Sequence, residues 1–107
     1  MNIEIVHLKS HTQGIESWIA LFEGEVVGHI YMQVELDRRI KFLDAWVHPN
    51  CRRSGIFRGL WEKRWDYVNQ EYSGYTIYAW CKENSLPLLL EKGFTTGEIC
   101  TYVEKKI

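Results

Sequence analysis

The apolar residues of this chain change their spacing at Gly55. Before Gly55, short runs of β-branched and aromatic residues are separated by turn residues, a pattern typical of strands joined in hairpins. After it, apolar residues from Ile56 to Val68 recur at three- and four-residue steps, which is the period of a helix with one broad apolar face. The chain is therefore predicted to build a sheet that leads directly into a long helix.

The same patterns predict the order β, β-β-β, α, β, α, β. Strands are expected at Asn2–Leu8, Ser17–Phe22, Val26–Leu36, Ile40–Val47, Tyr75–Trp80 and Glu98–Lys105. Helices are expected from Gly55 to Tyr72 and from Asn84 or Ser85 to Gly93, with a loop at Lys9–Glu16. This order predicts one α/β (α+β) domain over residues 1–107, whose mixed sheet is antiparallel at first and then continues through β-α-β crossovers.

Composition and charge exclude several classes of function. A net charge of −1 without a basic face argues against nucleic-acid binding. The three cysteines are far apart, so we expect no disulfide framework and no metal. No apolar run approaches the ~20 residues of a membrane helix, and the first ten residues lack a signal peptide's apolar core. We therefore expect a cytoplasmic protein. The many aromatic residues are interpreted as core filler.

One segment, Val47 to Gly59, carries a recognisable chemical pattern. An apolar strand ends, a turn containing Pro49 follows, and Gly55 opens the long helix. A helix start exposes unpaired N–H groups and the positive end of the helix dipole, which suit a phosphate or pyrophosphate. Neighbouring arginines at positions 52, 53 and 58 add positive charge. From the residues alone, an ordinary capped helix with solvated arginines is an equal alternative.

This segment resembles the coenzyme-binding motif of the GNAT superfamily of N-acyltransferases. Val47, Pro49, Arg52 and Gly55 match the family pattern in type and spacing, whereas Phe57 stands where the family prefers Gly or Ala. A second segment, Asn84 to Gly93-Phe94, resembles the Asn and short helix of the family. The resemblance covers most of the chain. It fails upstream, where the Lys9–Glu16 loop is too short for the family's two helices between the first and second strands.

The resemblance implies acetyl-CoA as co-substrate, bound in a V-shaped opening between the strands Ile40–Val47 and Tyr75–Trp80. It implies pantetheine contacts from the backbone, pyrophosphate contacts from the helix start, and one further contact from Asn84. The coenzyme-binding residues expected on this basis are Ala45, Trp46, Val47, Arg52, Arg53, Ser54, Gly55, Ile56, Phe57, Arg58 and Asn84.

Residues for acid and base catalysis are less distinctive. Asp44 is an acidic residue within an apolar strand, which makes it a candidate base, and Glu35 and Asp37 beside the preceding turn are alternatives. The family's usual Tyr on the second helix is replaced by Leu88 or Leu89. Tyr78 or Tyr102 would have to donate the proton instead, and His48 is a further candidate because histidine is a common acid–base residue. Each of these residues also has an ordinary structural interpretation.

The resemblance implies transfer of an acyl group to a primary amine of a small molecule or protein. A catalytically degenerate GNAT fold that serves as a binding or interaction module is the alternative. Because the family's two helices are missing, apolar residues of two strands would face water, which predicts a homodimer. The acceptor and the acyl-chain length are left open.

Overall fold

In the computed structural model, residues 2–10, 14–80, 86–96 and 102–107 are described. The strands are β1 Glu4–Lys9, β2 Ile15–Phe22, β3 Glu25–Glu35, β4 Arg39–Val47, β5 Thr76–Trp80, β6 Thr95–Thr96 and β7 Tyr102–Lys106. The helices are α1 Ile56–Glu71 and α2 Leu86–Glu91, and one turn of 3-10 helix at Pro49–Cys51 precedes α1.

The seven strands of the described ranges form one sheet in the order β1-β2-β3-β4-β5-β7-β6. Every neighbouring pair is antiparallel except β4 and β5, which run parallel across the connection made by α1. The predicted mixed α/β fold is therefore confirmed. The prediction missed β6, because two residues are too few to show a period, and it placed Glu16 in a loop although Glu16 lies in β2.

Two tight turns give the sheet its antiparallel half. Gly24, with φ of 82°, joins β2 to β3, as the sequence predicted. Between β3 and β4, Asp37 and Arg38 both adopt positive φ, at 62° and 56°. Tight hairpin turns favour left-handed backbone conformations, because these conformations match the right-handed twist of the two strands that the turn joins.

The hydrophobic core lies between one face of the sheet and the two helices. Trp18 and Ile30 on the strands and Leu60 and Trp61 on α1 are almost completely buried. Helix α2 lies beside α1 on the same face, since Lys92, just after α2, forms an ion pair with Glu62 at 2.9 Å. Core packing accounts for many of the aromatic residues, as expected.

The opposite face of the sheet carries a row of partly exposed side chains. Residues 10–14 join β1 to β2, and this connection is too short for two helices, as predicted. Across the strands, Val6 pairs with Ile19, Ile19 with His29, and His29 with Trp46. No helix in the described ranges covers this row, and none is long and apolar enough to cross a membrane.

Candidate functional site

A cleft opens where β4 and β5 separate. The two strands pair only at Arg39 with Thr76, Ile40 with Ile77, and Lys41 with Tyr78. Beyond Lys41 they diverge, and a cleft of about 700 Å³ lies between them and the start of α1. This is the V-shaped opening that the resemblance implied. Leu89 on α2 and Trp80 at the end of β5 contribute to its walls.

Most of the predicted coenzyme-binding residues line this cleft. Those that line it are Ala45, Trp46, Val47, Arg52, Arg53, Gly55, Ile56, Phe57 and Arg58. Ser54 is not among the lining residues; its hydroxyl donates to the carbonyl of Cys51 and so stabilises the turn. Asn84 lies outside the described residues. The structure thus brings two separate stretches of the sequence, the end of β4 and the start of α1, to one opening.

The turn before α1 is shaped by short-range contacts. The Nδ1 atom of His48 accepts a hydrogen bond from the backbone N–H of Asn50 at 3.1 Å. Arg53 adopts φ of 64° and Gly55 φ of 85°, both in the left-handed region. Only glycine enters that region without strain, and a Cβ on Gly55 would meet nothing within 4 Å. The left-handed backbone conformation at position 55, and not a lack of space for a side chain, therefore explains why this residue is glycine.

The start of α1 is suited to an anion. Gly55 occupies the N-cap position and has no side chain with which to cap the helix. The first turn contains no acidic residue, and α1 is 16 residues long, so its dipole is not offset by a nearby carboxylate. Backbone N–H groups at this end have no intrahelical acceptor. They open toward the cleft, where a negatively charged group would pair with them.

The three arginines of the motif have different surroundings. Arg58 donates to the Glu91 carboxylate at 3.1 Å and lies 4.0 Å from Glu62, so its charge is shared with α2. The Nε of Arg52 donates to the carbonyl of Val47 at 3.3 Å, which places its side chain over the end of β4. Arg53 is exposed. Arg52 and Arg53 are therefore the cations best placed to meet an anion at the helix start.

Sequence reasoning missed Arg64, which also lines the cleft. Only 3% of this residue is exposed, although it is charged. Its guanidinium lies 3.7 Å from the ring centre of Phe42, and burial lowers the pKa of the group. The signal was present in the sequence, because Arg64 follows Leu60 and precedes Val68 at helical spacing on the apolar face.

The catalytic candidates are placed differently from one another. Asp44 lies on β4 in the part that borders the cleft, and its side chain lies outside the described residues. Tyr78 lies at the closed end of the opening, paired with Lys41, and is not a lining residue. Its hydroxyl donates to Glu35 at 2.7 Å, and Arg39 lies 4.6 Å above its ring. The structure therefore does not bring Tyr78 into the cleft.

Other candidates can also be located. Leu88 and Leu89 are buried, and neither can donate a proton in place of the family's Tyr. The side chain of Tyr102 lies outside the described residues. Within the described ranges, no group of three or more His, Cys, Asp or Glu side chains is arranged to hold a metal ion.

The fold and the site together define a class of protein. A mixed sheet whose parallel pair β4–β5 diverges beside an uncapped, basic helix start is the arrangement expected of the GNAT acyltransferases. The family model described as the Acetyltransferase (GNAT) family matches residues 3–94. The chain belongs to this family. No curated protein sequence matches the chain.

Solved structures with the same fold have little sequence in common with this chain. The IAA acetyltransferase from Bacillus cereus ATCC 14579 is 11% identical with a TM-score of 0.74, over 99% of this chain and 100% of that one. A putative acetyltransferase from Exiguobacterium sp. 255-15 is 14% identical with a TM-score of 0.76, over 99% and 94%. An aminoglycoside acetyltransferase from an uncultured soil metagenomic sample is 20% identical with a TM-score of 0.65, over 83% and 64%. At these identities the likeness shows the fold, and the differing names show that the fold does not determine the acceptor.

Proposed function

We propose that this protein is an acetyl-CoA-dependent N-acetyltransferase that acts on a primary amine of a small molecule or protein. One observation carries the proposal. The uncapped start of α1, with Arg52 and Arg53 beside it, opens onto the cleft between β4 and β5. A pyrophosphate meets unpaired N–H groups and two exposed cations there, and no other part of the described chain offers that combination.

The end of β4 supplies the second half of the coenzyme site. Because β4 pairs with β5 only through Lys41, the edge of residues 45–47 that faces the cleft has no strand beside it. An extended pantetheine chain carries amide groups that pair with such an edge much as another strand would. Ala45, Trp46 and Val47 are the residues proposed for these contacts. Phe57 lines the cleft and also packs in part against the core.

The chemistry requires few groups. The amine nitrogen attacks the thioester carbonyl, the carbon–sulfur bond breaks, and the coenzyme leaves as a thiol after taking up a proton. The amine must be uncharged when it attacks, and a carboxylate or a water chain can remove its proton. We propose Asp44 as the residue that serves this role, because it lies on the strand that borders the cleft. Tyr78 stays a weaker candidate for the acid, since its hydroxyl is held by Glu35.

A second candidate function is a GNAT-fold binding module without catalysis. It is favoured by Leu89, which lines the cleft with a buried apolar side chain where many relatives are expected to carry a Tyr. A module of this kind binds the coenzyme, or a fragment of it, without turnover. Mass spectrometry over a panel of primary amines separates the two functions. Acetylation of any amine excludes the binding-module function, whereas coenzyme binding with no product from any amine supports it.

Calorimetric titration with acetyl-CoA and CoA tests the coenzyme site. Gly55→Ala places a side chain in the left-handed region at the helix start, and we expect acetyl-CoA affinity to fall at least tenfold. Gly24→Ala is the matched control, because Gly24 has a similar φ of 82°, a Cβ there also meets nothing within 4 Å, and Gly24 lies in a hairpin away from the cleft. Wild-type protein that binds no coenzyme at millimolar concentration contradicts the proposal, and so does equal loss in the two variants.

We also infer that two copies associate in the cytoplasm through the uncovered face of the sheet. Leu8 is 52% exposed and Val26 48% exposed, and both lie beside the row that Val6, Ile19 and His29 form. Burial of such exposed apolar side chains against a second surface makes the free energy of association more favourable, because it removes them from water. Light scattering tests the inference, and a monomer at high concentration contradicts it.

A further inference from the structure

The β4 strand contains a bulge at the inner end of the cleft. Ile30 on β3 pairs with Ala45, and Met32 pairs with Phe42. Between these pairs, Tyr31 alone faces two residues of β4, Leu43 and Asp44. A bulge of this kind interrupts the ladder and bends its strand, and it leaves backbone groups that the ladder no longer satisfies.

Arg64 reaches this bulge from the helix. Its Nη1 donates to the carbonyl of Tyr31 at 2.7 Å and lies 3.4 Å from the carbonyl of Leu43. One nitrogen therefore bridges both strands at the point where their register changes. The rest of the guanidinium is held by aromatic rings, with Phe42 at 3.7 Å and Trp61 at 5.4 Å from its central carbon.

This placement is unfavourable for the stability of an isolated chain. The Nε of Arg64 is buried and has no hydrogen-bond partner among the described groups. No carboxylate of the described side chains forms an ion pair with it. A buried guanidinium without these partners loses hydration that its contacts do not fully replace. Its hydrogen bonds to Tyr31 and Leu43 and its contacts with Phe42 and Trp61 are therefore the interactions that hold it at the bulge.

The bulge lies at the point where β4 leaves β5. The last pair between these strands is Lys41 with Tyr78, and the bulged residues follow two positions later. Residues 45–47, which the proposed function assigns to pantetheine, come directly after the bulge. Any change in the bulge therefore changes the direction of this segment.

We propose that Arg64 is a positioning residue that clamps the β4 bulge and thereby sets the direction of residues 45–47 along the cleft. The clamp does not require contact with the coenzyme. Its relevance to acyl transfer rests on the proposed function, but its effect on β4 does not. The planar guanidinium suits this role because it stacks on Phe42 while it donates to two carbonyls, a combination that a flexible amine does not offer.

The test compares Arg64→Gln with Val68→Ala. Val68 is fully buried one turn further along α1, does not line the cleft, and its truncation destabilises the same helix without touching the bulge. We expect amide hydrogens of residues 43–47 to exchange at least tenfold faster in Arg64→Gln, relative to those of β1 and β2. In Val68→Ala this ratio should stay as in the wild type. A uniform increase across the sheet in both variants overturns the inference.

Coenzyme affinity is the second measurement. Acetyl-CoA should bind at least tenfold more weakly to Arg64→Gln, and within twofold of the wild type to Val68→Ala. Retained affinity in Arg64→Gln overturns the inference and leaves the proposed function standing. If the wild-type protein binds no coenzyme, the proposed function fails, and hydrogen exchange alone then decides whether the clamp exists.

Arg64→Lys keeps the result interpretable if the glutamine variant folds poorly. The ammonium can still donate to a carbonyl at the bulge, so exchange at residues 43–47 should lie between the wild type and Arg64→Gln. Exchange in Arg64→Lys that equals or exceeds the glutamine variant, at equal thermal stability, contradicts a clamp that acts through these carbonyls.

Discussion

The two ends of α1 both carry polar groups, but their surroundings are opposite. At the carboxyl end, the hydroxyl of Tyr72 donates to Oε2 of Glu16 at 2.8 Å, and His7 lies 2.8 Å from Oε1. Glu16 is only 1% exposed, and the ring of His7 stacks on Trp18 at 4.4 Å. At the amino end, the Gly55 cap has no side chain and the cleft is open.

This difference separates structural polar groups from those that await a ligand. Both oxygens of Glu16 have partners within the protein, so the carboxyl end of α1 is complete by itself. The amino end keeps N–H groups that have no intrahelical acceptor, together with exposed arginines. These groups are available to bind a ligand. The comparison predicts that substitutions at the carboxyl end change stability, whereas those at the amino end change ligand affinity.

The largest effect is expected for Glu16→Ala. Its removal leaves the partly buried Tyr72 hydroxyl and the His7 ring without their acceptor, and losses of about 3 kcal/mol are usual for such networks. Urea denaturation measures the change, with Glu25→Ala at an exposed strand position as the control. Acetyl-CoA affinity of the folded variant should stay within twofold. A variant that keeps its stability, or loses affinity in proportion, contradicts the separation of the two ends.

How much of this could be read from the sequence differs between the ends. The amino end is a local motif, since Pro49, Arg52 and Gly55 lie within seven residues, and its period change predicts the helix start. The carboxyl end joins Glu16 to Tyr72, which are 56 residues apart, and only the folded sheet brings them together. The sequence pattern also predicts a loop at Glu16, because its polar side chain masks the alternation with the buried residues Trp18 and Ala20.

Arg64 and β6 show two further limits. A charged residue on an apolar helix face signals burial, but its partners are backbone carbonyls, which carry no signature in the sequence. The strand Thr95–Thr96 is defined only by its pairing with β7. The acceptor does not follow from the sequence, because family members with this fold and different acceptors share little sequence with this chain.

Gly28→Val should affect the amino end through packing. A Cβ at Gly28 would lie 3.1 Å from Cγ2 of Ile56 and from the backbone oxygen of Trp46, and 3.2 Å from Cδ1 of Leu60. The start of α1 and the end of β4 must therefore give way by a few tenths of an ångström. Overpacking of this kind costs about 1–3 kcal/mol. We expect acetyl-CoA affinity to fall about tenfold, because the helix start shifts relative to β4.

Glu16→Ala serves as the control for Gly28→Val. Both variants are expected to lose stability, one at each end of the same helix. Calorimetric titration at a temperature where both are folded compares their affinities for acetyl-CoA. Equal affinities would show that the position of the helix start is unimportant for binding.

The difference in pH dependence between the wild type and a Tyr72 variant should report on the carboxyl end. Burial, followed by the hydrogen bond to Glu16, raises the pKa of Tyr67 to about 12, and the same causes raise the pKa of Tyr72. Unfolded tyrosine ionises near 10, so this contribution is fully present below pH ~10 and is lost as pH rises through the folded pKa. Urea midpoints at pH 8 and pH 11 should therefore differ more in the wild type than in Tyr72→Phe. At neutral pH, Tyr72→Phe should lose about 1 kcal/mol. An equal change in the urea midpoint between pH 8 and pH 11 in the two proteins would show that the ionisation of Tyr72 is not coupled to Glu16.

The smallest effect is expected for Gly59→Ala, in the first turn of α1. A Cβ at this position would lie 3.8 Å from Cδ1 of Ile5, an ordinary van der Waals contact, and Gly59 has no positive φ that requires glycine. Alanine should therefore stabilise the helix by about 0.5–1 kcal/mol, because it restricts the unfolded chain more than glycine does. Thermal denaturation measures the gain. Since Gly59 does not line the cleft, acetyl-CoA affinity should not change. An affinity that falls as the helix becomes more stable would mean that the amino end must move to admit the ligand. The two ends of α1 would then differ in mobility as well as in their polar contacts.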